Sequence, residues 1–147
     1  MSSFVLLDSG PLGMLARAQP AAAVRAWTRN LGVRGHRLAL PEIADYEVRR
    51  ELLFARLDSS LNALNALQAA LDYLYITTPV MREAAALWAQ ARQQGTPTAD
   101  RHALDGDVIL AATARLLIAD GHDAIIATTN VGHLSRYAPA HLWHTII

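Results

Sequence analysis

The sequence predicts an α/β fold with a central, mostly parallel β-sheet. Short and continuously apolar runs of the kind that form buried parallel strands occur near both ends of the chain, at residues 4–7 and 124–129. Longer segments with the helical spacing of apolar residues lie between such runs. Because strands that alternate with helices are characteristic of parallel sheets covered by helices, this order favours an α/β domain.

The predicted elements follow one another without a repeat or an internal linker. In chain order they are strand 4–7, helices 12–18 and 21–30, strand 38–40, helix 41–54, helix 61–73, strand 74–77, helix 81–94, a loop over 95–98, helix 104–121, strand 124–129 and a last strand over 142–147. Pro41 suits the first position of its helix because that position needs no intrahelical N–H partner. Gly121 suits the end of helix 104–121, where the backbone often takes positive φ.

Leucines recur at helical spacing in the middle of the chain, at positions 61, 64, 67, 71 and 74. Together with the apolar segment 52–57, they predict a helical hairpin that projects from the sheet. This leucine stripe is a face of the core or of an oligomer interface.

The composition limits the chemistry that the chain can perform. It has 147 residues, the length of one domain (1–147), and a net charge of zero from 13 basic and 13 acidic residues. The absence of cysteine excludes disulfides and thiolate metal sites, and the absence of lysine excludes Schiff-base and P-loop chemistry. No apolar run approaches the ~20 residues of a membrane span, and no signal peptide is evident, so we expect a cytoplasmic protein without a membrane partner.

The arginines are unevenly distributed. Residues 1–56 hold eight arginines and five acids, whereas residues 57–147 hold five arginines and eight acids. This pattern indicates a local arginine patch and not a basic tail that binds nucleic acid nonspecifically.

The helix predicted over 104–121 carries two aspartates at its start. Asp105 is placed as the N-cap and Asp107 in the first turn, while the rest of the helix is apolar in nearly every direction and is therefore expected to be buried. Aspartate at a helix start also needs no function beyond capping, since it satisfies free N–H groups and the helix dipole.

Other predicted elements place oxygen ligands at the edge of the sheet where helix 104–121 begins. Asp8 ends the first strand and Asn130 follows the fourth, and the carboxyl ends of parallel strands meet at one edge of a sheet. From its own segment, Asp8 could equally be a turn or helix-cap residue before Gly10 and Pro11. Glu47 lies between apolar neighbours in its helix, so both a surface position and a partnered buried position stay open. Several carboxylates in one crevice are tolerated when a hard cation lies among them, and oxygen ligands suit Mg²⁺ or Mn²⁺.

These segments together resemble the motifs of PIN-domain nucleases. Asp8 after an apolar strand, followed by a small hydroxyl residue, resembles the opening of such a domain. The segment 41–51 resembles the one that holds the family's conserved glutamate, at Glu47 here. The segment 107–114 resembles the helix of the third acid, and 128–134 resembles the fourth motif. The resemblance spans the whole chain, in the right order.

The resemblance implies a PIN-like three-layer α/β/α fold and a Mg²⁺- or Mn²⁺-dependent endoribonuclease, most similar to the VapC toxins of toxin–antitoxin pairs. It assigns catalytic and metal-binding roles to Asp8, Glu47 and Asp107. The fourth position is often Asp in the family and is Asn130 here, which removes one charge and bears mainly on a second metal. Asp105 is a candidate to supply that charge.

The resemblance also implies partners and leaves an alternative function open. It implies an RNA substrate, with Arg49 or Arg50 guiding the backbone, together with an antitoxin protein and a homodimer. The alternative is a catalytically weak or inert RNA-binding or regulatory protein on the same fold. Histidines are not expected to form a metal site, because His141 and His144 would point to opposite faces of the last strand. His133 is expected to pack or hydrogen-bond beside Asn130.

Overall fold

Five parallel strands form the central sheet in the described part of the chain, which covers residues 2–95, 101–132 and 134–147 of a computed structural model. The strands are β1 (Ser3–Leu7), β2 (His36–Pro41), β3 (Asp72–Leu74), β4 (Asp123–Thr128) and β5 (Ala140–Leu142). They are arranged in the order β3-β2-β1-β4-β5, and each neighbouring pair is parallel. The expected α/β class is confirmed, and the described sheet is parallel throughout.

The strand order reverses beside the central strand β1. The chain passes from β1 outward to β2 and β3, and then returns to the other side of β1 to form β4 and β5. In open parallel sheets such a reversal leaves a crevice beyond the carboxyl ends of the two diverging strands, and ligands bind there. The ends of β1 and β4, at Leu7 and Thr128, therefore mark the place for a functional site.

Helices cover both faces of the sheet. They are α1 (Ser9–Leu15), α2 (Ala22–Val33), α3 (Glu42–Phe54), α4 (Asp58–Ala70), α5 (Thr78–Gln93) and α6 (Arg101–Ala119). Because side chains alternate along a strand, Phe4 and Leu6 of β1 join one core with α5 and α6, whereas Val5 and Leu7 join a second core with the first four helices. The predicted three-layer α/β/α arrangement is confirmed, and no helix within the described ranges is long and apolar enough to cross a membrane.

Four helices begin three residues earlier than the sequence analysis placed them, namely α1, α4, α5 and α6. In α1 and α5 the extra residues include Pro11 and Pro79, which a first turn accommodates because its N–H groups need no intrahelical partner. In α6 the earlier start places Leu104, only 2% exposed, in the core. The predicted N-cap role of Asp105 is therefore wrong, and both Asp105 and Asp107 lie within the helix.

The third and last strands also differ from their predicted positions. The third strand lies at Asp72–Leu74 and not at 74–77, because the Ile76 N–H donates to Glu42 Oε1 (2.8 Å) and leaves the ladder. The last strand pairs only over Ala140–Leu142, and a 3₁₀ helix follows at Trp143–Thr145. The Trp27 indole N–H donates to the Ile146 carbonyl (3.0 Å) and draws the chain back over α2. His141 and His144 therefore do not share a strand.

The predicted helical hairpin is formed by α3 and α4, with residues 55–57 between them. Leu64 is fully buried, and Leu67 and Leu71 pack against the same core, so most of the leucine stripe belongs to the core and not to an oligomer face. The hairpin tip carries exposed apolar side chains, among them Phe54, which is 89% exposed. The predicted loop residues 96–98 and the role expected of His133 fall outside the described residues.

Gly10 allows the start of α1 to approach the end of β4. A Cβ atom at this position would lie 2.5 Å from Thr129 Oγ1 and 2.7 Å from Thr129 Cγ2. Since both branches of the side chain are this close, rotating Thr129 about χ1 would still leave one of them in a clash. We expect Gly10→Ala to lower the free energy of unfolding by about 1–3 kcal/mol, as overpacking does. Urea denaturation measures this change.

Gly13 provides the matched control because it lies in the same helix and a Cβ there meets nothing within 4 Å. Gly13→Ala should be neutral or stabilise the protein by up to about 1 kcal/mol, since alanine is the better helix former. Thr129→Ala should recover part of the loss in Gly10→Ala. Equal stability of the two glycine variants would show that the close approach is not a packing constraint.

Candidate active site

Asp8 lies at the carboxyl end of the central strand and caps the helix that follows. It has extended backbone geometry, and its Oδ1 accepts a hydrogen bond from the Ser9 N–H at 2.7 Å. Its own N–H donates to the Ala127 carbonyl at 3.0 Å, so its backbone is held to the neighbouring strand β4. The sequence analysis placed Asp8 at this strand end, and the structure fixes the orientation of its carboxylate there.

Thr128 holds the other oxygen of Asp8. Its hydroxyl, which is almost completely buried at the end of β4, donates to Asp8 Oδ2 at 2.8 Å. The same hydroxyl oxygen accepts from the Asn130 N–H at 3.1 Å, which ties it to the turn after the strand. Sequence reasoning assigned no role to Thr128, although a hydroxyl residue that ends an apolar strand beside β1 was a usable signal.

Glu47 meets the second turn of α6 from the middle of α3. A Cβ atom on Gly106 would lie 3.0 Å from Glu47 Oε2, so the absence of a side chain there makes room for the carboxylate. Inside a helix, glycine is less favourable than alanine by roughly 1 kcal/mol. Helix stability therefore does not explain Gly106 beside Asp107, whereas the space that it leaves for Glu47 does. Of the two positions that the sequence left open for Glu47, the structure selects the partly buried one against α6.

The charges of Asp8, Glu47 and Asp107 act on one another. Burial raises the pKa of Glu47, the charges of Asp8 and Asp107 raise it further, and the nearby Arg50 opposes this rise. Burial and the charge of Asp8 raise the pKa of Asp107 to about 6. We call these three residues the carboxylate cluster. They come from a strand end and from two helices that converge at the carboxyl edge of the sheet.

The two additional candidates, Asp105 and Asn130, have different surroundings. Asp105 is exposed and lines a groove between α5 and α6, with Met81 and Trp88 among its neighbours. It is not among the charges that shift the pKa of Glu47 or Asp107. The exposed side chain of Asn130 lies in the turn beside Gly132, and only its backbone is linked to Thr128.

The two arginines proposed to guide RNA have different surroundings. Arg49 donates from Nε to Asp45 Oδ1 (2.9 Å) and from Nη1 to Asn65 Oδ1 (2.8 Å), so its guanidinium joins α3 to α4. Arg50 is exposed, lies over the Tyr46 ring at 5.0 Å, and is close enough to Glu47 to lower its pKa. Of the two, Arg50 is the cation at the rim of the site.

The donor chemistry of the carboxylate cluster fits a hard divalent cation. All its donors are carboxylate oxygens, and none of the three acids forms an ion pair within the described residues. The described side chains do not include three acids or histidines already arranged to chelate one ion. Mg²⁺ commonly takes only one or two carboxylates and keeps several waters, so a complete protein cage is not required.

The fold is shared with solved structures of toxin–antitoxin systems. A chain of VapBC2 from Rickettsia felis, bound to a DNA fragment from their promoter, matches with a TM-score of 0.74 at 14% identity, over 95% of this chain and 98% of that chain. FitAcB from Neisseria gonorrhoeae matches at 0.68 with 20% identity, over 97% and 99%. VapBC-1 from nontypeable Haemophilus influenzae matches at 0.69 with 17% identity, over 95% and 98%.

The chain has a PIN-like fold. The resemblance to VapC-type PIN domains that the sequence indicated is therefore confirmed for the architecture, over nearly the full length of each chain. No protein-family model and no curated protein matches the sequence. At these low identities the likeness establishes the PIN-like fold, and the chemistry must be argued from the carboxylate cluster itself.

The raised pKa of Asp107 predicts a gain in stability when its charge is removed. The unfolded chain ionises this carboxyl near pH 4 and the folded chain at about 6, so wild-type stability falls as pH rises through this interval. We expect Asp107→Asn to raise the free energy of unfolding by about 1 kcal/mol at pH 7.5, allowing for solvent screening, and to have little effect at pH 4.

The measurement is urea denaturation in EDTA at both pH values. Asp105→Asn is the control, because it removes an exposed charge two positions away on the same helix. A loss of stability in Asp107→Asn at pH 7.5, or an equal gain in both variants, would contradict a buried and repelled carboxylate at Asp107.

Proposed function

We propose that this protein is a Mg²⁺- or Mn²⁺-dependent endoribonuclease in which Asp8, Glu47 and Asp107 bind the metal. The carboxylate cluster carries this proposal: three acids, two of them with raised pKa values, share the carboxyl edge of the sheet and are opposed nearby by Arg50. Keeping like charges together and partly out of water costs free energy, and no ion pair within the described residues offsets this cost. A bound cation would offset it.

The residues of the chain prepare the site for phosphodiester hydrolysis. A divalent cation, when bound, would stabilise charge on the phosphate and supply hydroxide at neutral pH. Ser9 and Thr128 each bind one oxygen of Asp8, and each oxygen keeps lone-pair capacity for a further ligand. Arg50, exposed at the rim, is placed to attract an RNA phosphate. RNA as the substrate rests on the resemblance to VapC-type domains.

Cleavage of labelled single-stranded RNA in Mg²⁺, in Mn²⁺ and in EDTA tests this proposal. We expect metal-dependent cleavage that falls at least about 100-fold in Asp8→Asn, Glu47→Gln and Asp107→Asn, because each variant removes an ionic ligand. Thr128→Val should cost about 10–100-fold, as loss of a group that orients a ligand does, whereas Thr128→Ser should keep most of the activity. Asp105→Asn and Arg49→Gln should stay close to the wild type.

Thermal denaturation with added Mg²⁺ provides a measurement that is independent of activity. The melting temperature should rise with Mg²⁺ in the wild type and in Asp105→Asn, but not in Asp8→Asn or Asp107→Asn, because a ligand stabilises only the state that binds it. Cleavage that survives Asp8→Asn would contradict the assignment of the site. RNA binding without cleavage in any metal would favour the inert RNA-binding alternative.

We further propose that the protein is the toxin of a toxin–antitoxin pair and forms a homodimer. Its fold matches chains of VapBC structures, one of them bound to DNA from their promoter. The tip of the α3–α4 hairpin carries exposed apolar side chains, Leu53, Phe54 and Leu57, which suit a protein interface better than water.

Light scattering after gel filtration tests both associations. We expect the wild type to elute as a dimer and to co-elute with the product of an adjacent short reading frame. Replacing Phe54 and Leu57 by serine should weaken either dimer formation or antitoxin binding at least 10-fold, because their apolar area would no longer be removed from water. Val33→Ser, which changes an equally exposed side chain on α2, should leave both intact. Unchanged associations in the Phe54/Leu57 variant would exclude the hairpin tip as an interface.

A further inference from the structure

A second concave site lies at the opposite edge of the sheet from the carboxylate cluster. This cleft, of about 420 Å³, is bounded by α2, by the start of β2 and by the end of α4, and we call it the α2–β2 cleft. The lining residues used below are Arg25, Arg29, Gly32, Arg37, Leu38 and Leu71. His36 opens β2 and pairs in register with Ser3 at the start of β1, whereas Asp8 follows the other end of β1. The five residues of β1 therefore separate the two sites by about 17 Å.

The α2–β2 cleft concentrates positive charge. Arg25 and Arg29 are four residues apart, so they share one face of α2, and neither forms an ion pair within the described residues. Like charges at this spacing destabilise a helix. Arg37 is held by Asp72 through two hydrogen bonds of 2.8 Å, which leaves a formal excess of two positive charges among the lining arginines and aspartate. An anionic ligand would relieve this repulsion.

The shape and the apolar part of the lining indicate the kind of anion. The cleft is open to solvent, and its volume of about 420 Å³ has room for a small ligand. Leu38 and Leu71 are partly buried and form an apolar wall beside the arginines. A Cβ atom on Gly32 would meet nothing within 4 Å, so the cleft is open beside α2. A charged wall next to an apolar wall suits a ligand with an anionic head and a flat apolar part.

We propose that the α2–β2 cleft binds a nucleotide phosphate, either of a free nucleotide or of one unit in a nucleic-acid strand. Arg25 and Arg29 bind the phosphate oxygens, since guanidinium groups match phosphate with paired N–H donors. The base lies against Leu38 and Leu71. This inference does not rest on the proposed nuclease activity, because it uses neither the carboxylate cluster nor a metal.

Binding measured in EDTA tests the α2–β2 cleft while the carboxylate cluster is kept free of metal. The probes are AMP and a short single-stranded RNA, followed by calorimetry and by NMR shifts of labelled protein. Arg25→Gln and Arg29→Gln should each weaken binding about 10-fold, since each removes a charge-assisted contact. Gly32→Met should weaken binding without changing any charge, because it adds a long side chain at a lining position of the cleft.

Arg82→Gln is the matched control, because Arg82 is an exposed arginine of α5 outside the cleft. AMP binding that is lost in the cleft variants supports the proposal with a free nucleotide as ligand. Binding of RNA alone, lost in the same variants, supports it with a strand as ligand. The proposal is overturned if neither probe binds, if Arg82→Gln weakens binding as much as Arg29→Gln, or if only an acidic peptide binds the cleft. Melting temperatures show that each variant is folded.

Discussion

Ionised carboxylates repel one another, and the repulsion grows as water is withdrawn from around them. This repulsion costs free energy where Asp8, Glu47 and Asp107 lie together at the carboxyl edge of the sheet. Burial first, and then repulsion by the neighbouring carboxylates, raises the pKa values of Glu47 and Asp107. A fold must be rigid to hold such groups together. Here Asp8 lies directly at the end of β1, and Glu47 and Asp107 lie in α3 and α6, which pack in the hydrophobic layers.

The sheet topology explains how three distant segments reach one place. The strand order reverses beside β1, so the segments that follow β1 and β4 leave a crevice beyond the carboxyl ends of these strands. Two glycines then allow the surrounding elements to close in: Gly10 brings α1 against Thr129, and Gly106 brings α6 against Glu47. Both are helical positions where alanine would be the better helix former, so contact and not helix propensity accounts for glycine there.

The sequence predicted the position of a site residue best where a local rule determines that position. Asp8 follows a short apolar run, and the rule that parallel strands end at one edge was enough to place it near the other acids. Glu47 was harder, because a helix with apolar residues on two sides does not reveal which side meets the sheet. Its position is decided by Gly106, which lies 59 residues away and whose significance is visible only when α3 and α6 are seen together.

The errors share a physical cause, which is that long-range contacts override local signals. Asp105 has the residue type of an N-cap, but burial of Leu104 extends α6 by one turn and leaves Asp105 in a groove on the side of α5. Arg49 pairs with Asp45 four residues earlier in its helix, but its further contact with Asn65 on the next helix is not visible in the sequence. Thr128 was missed because its hydrogen-bond partner is Asp8, 120 residues earlier in the chain. The pattern of a single sequence does not show which distant residues are in contact.

The net charge of the chain is zero, but its acidic and basic side chains are unevenly distributed between the two edges of the sheet. The three acids of the carboxylate cluster lie at the carboxyl edge, and three of the eight arginines in residues 1–56 line the α2–β2 cleft at the other edge, about 17 Å away. Charges that far apart at a protein surface are largely screened, because the Debye length is about 8 Å at physiological ionic strength. The arginines of the cleft therefore do little to neutralise the carboxylate cluster, where Arg50 is the nearby cation. Under the two proposals above, each edge takes its remaining counter-charge from a ligand, a cation at one edge and an anion at the other.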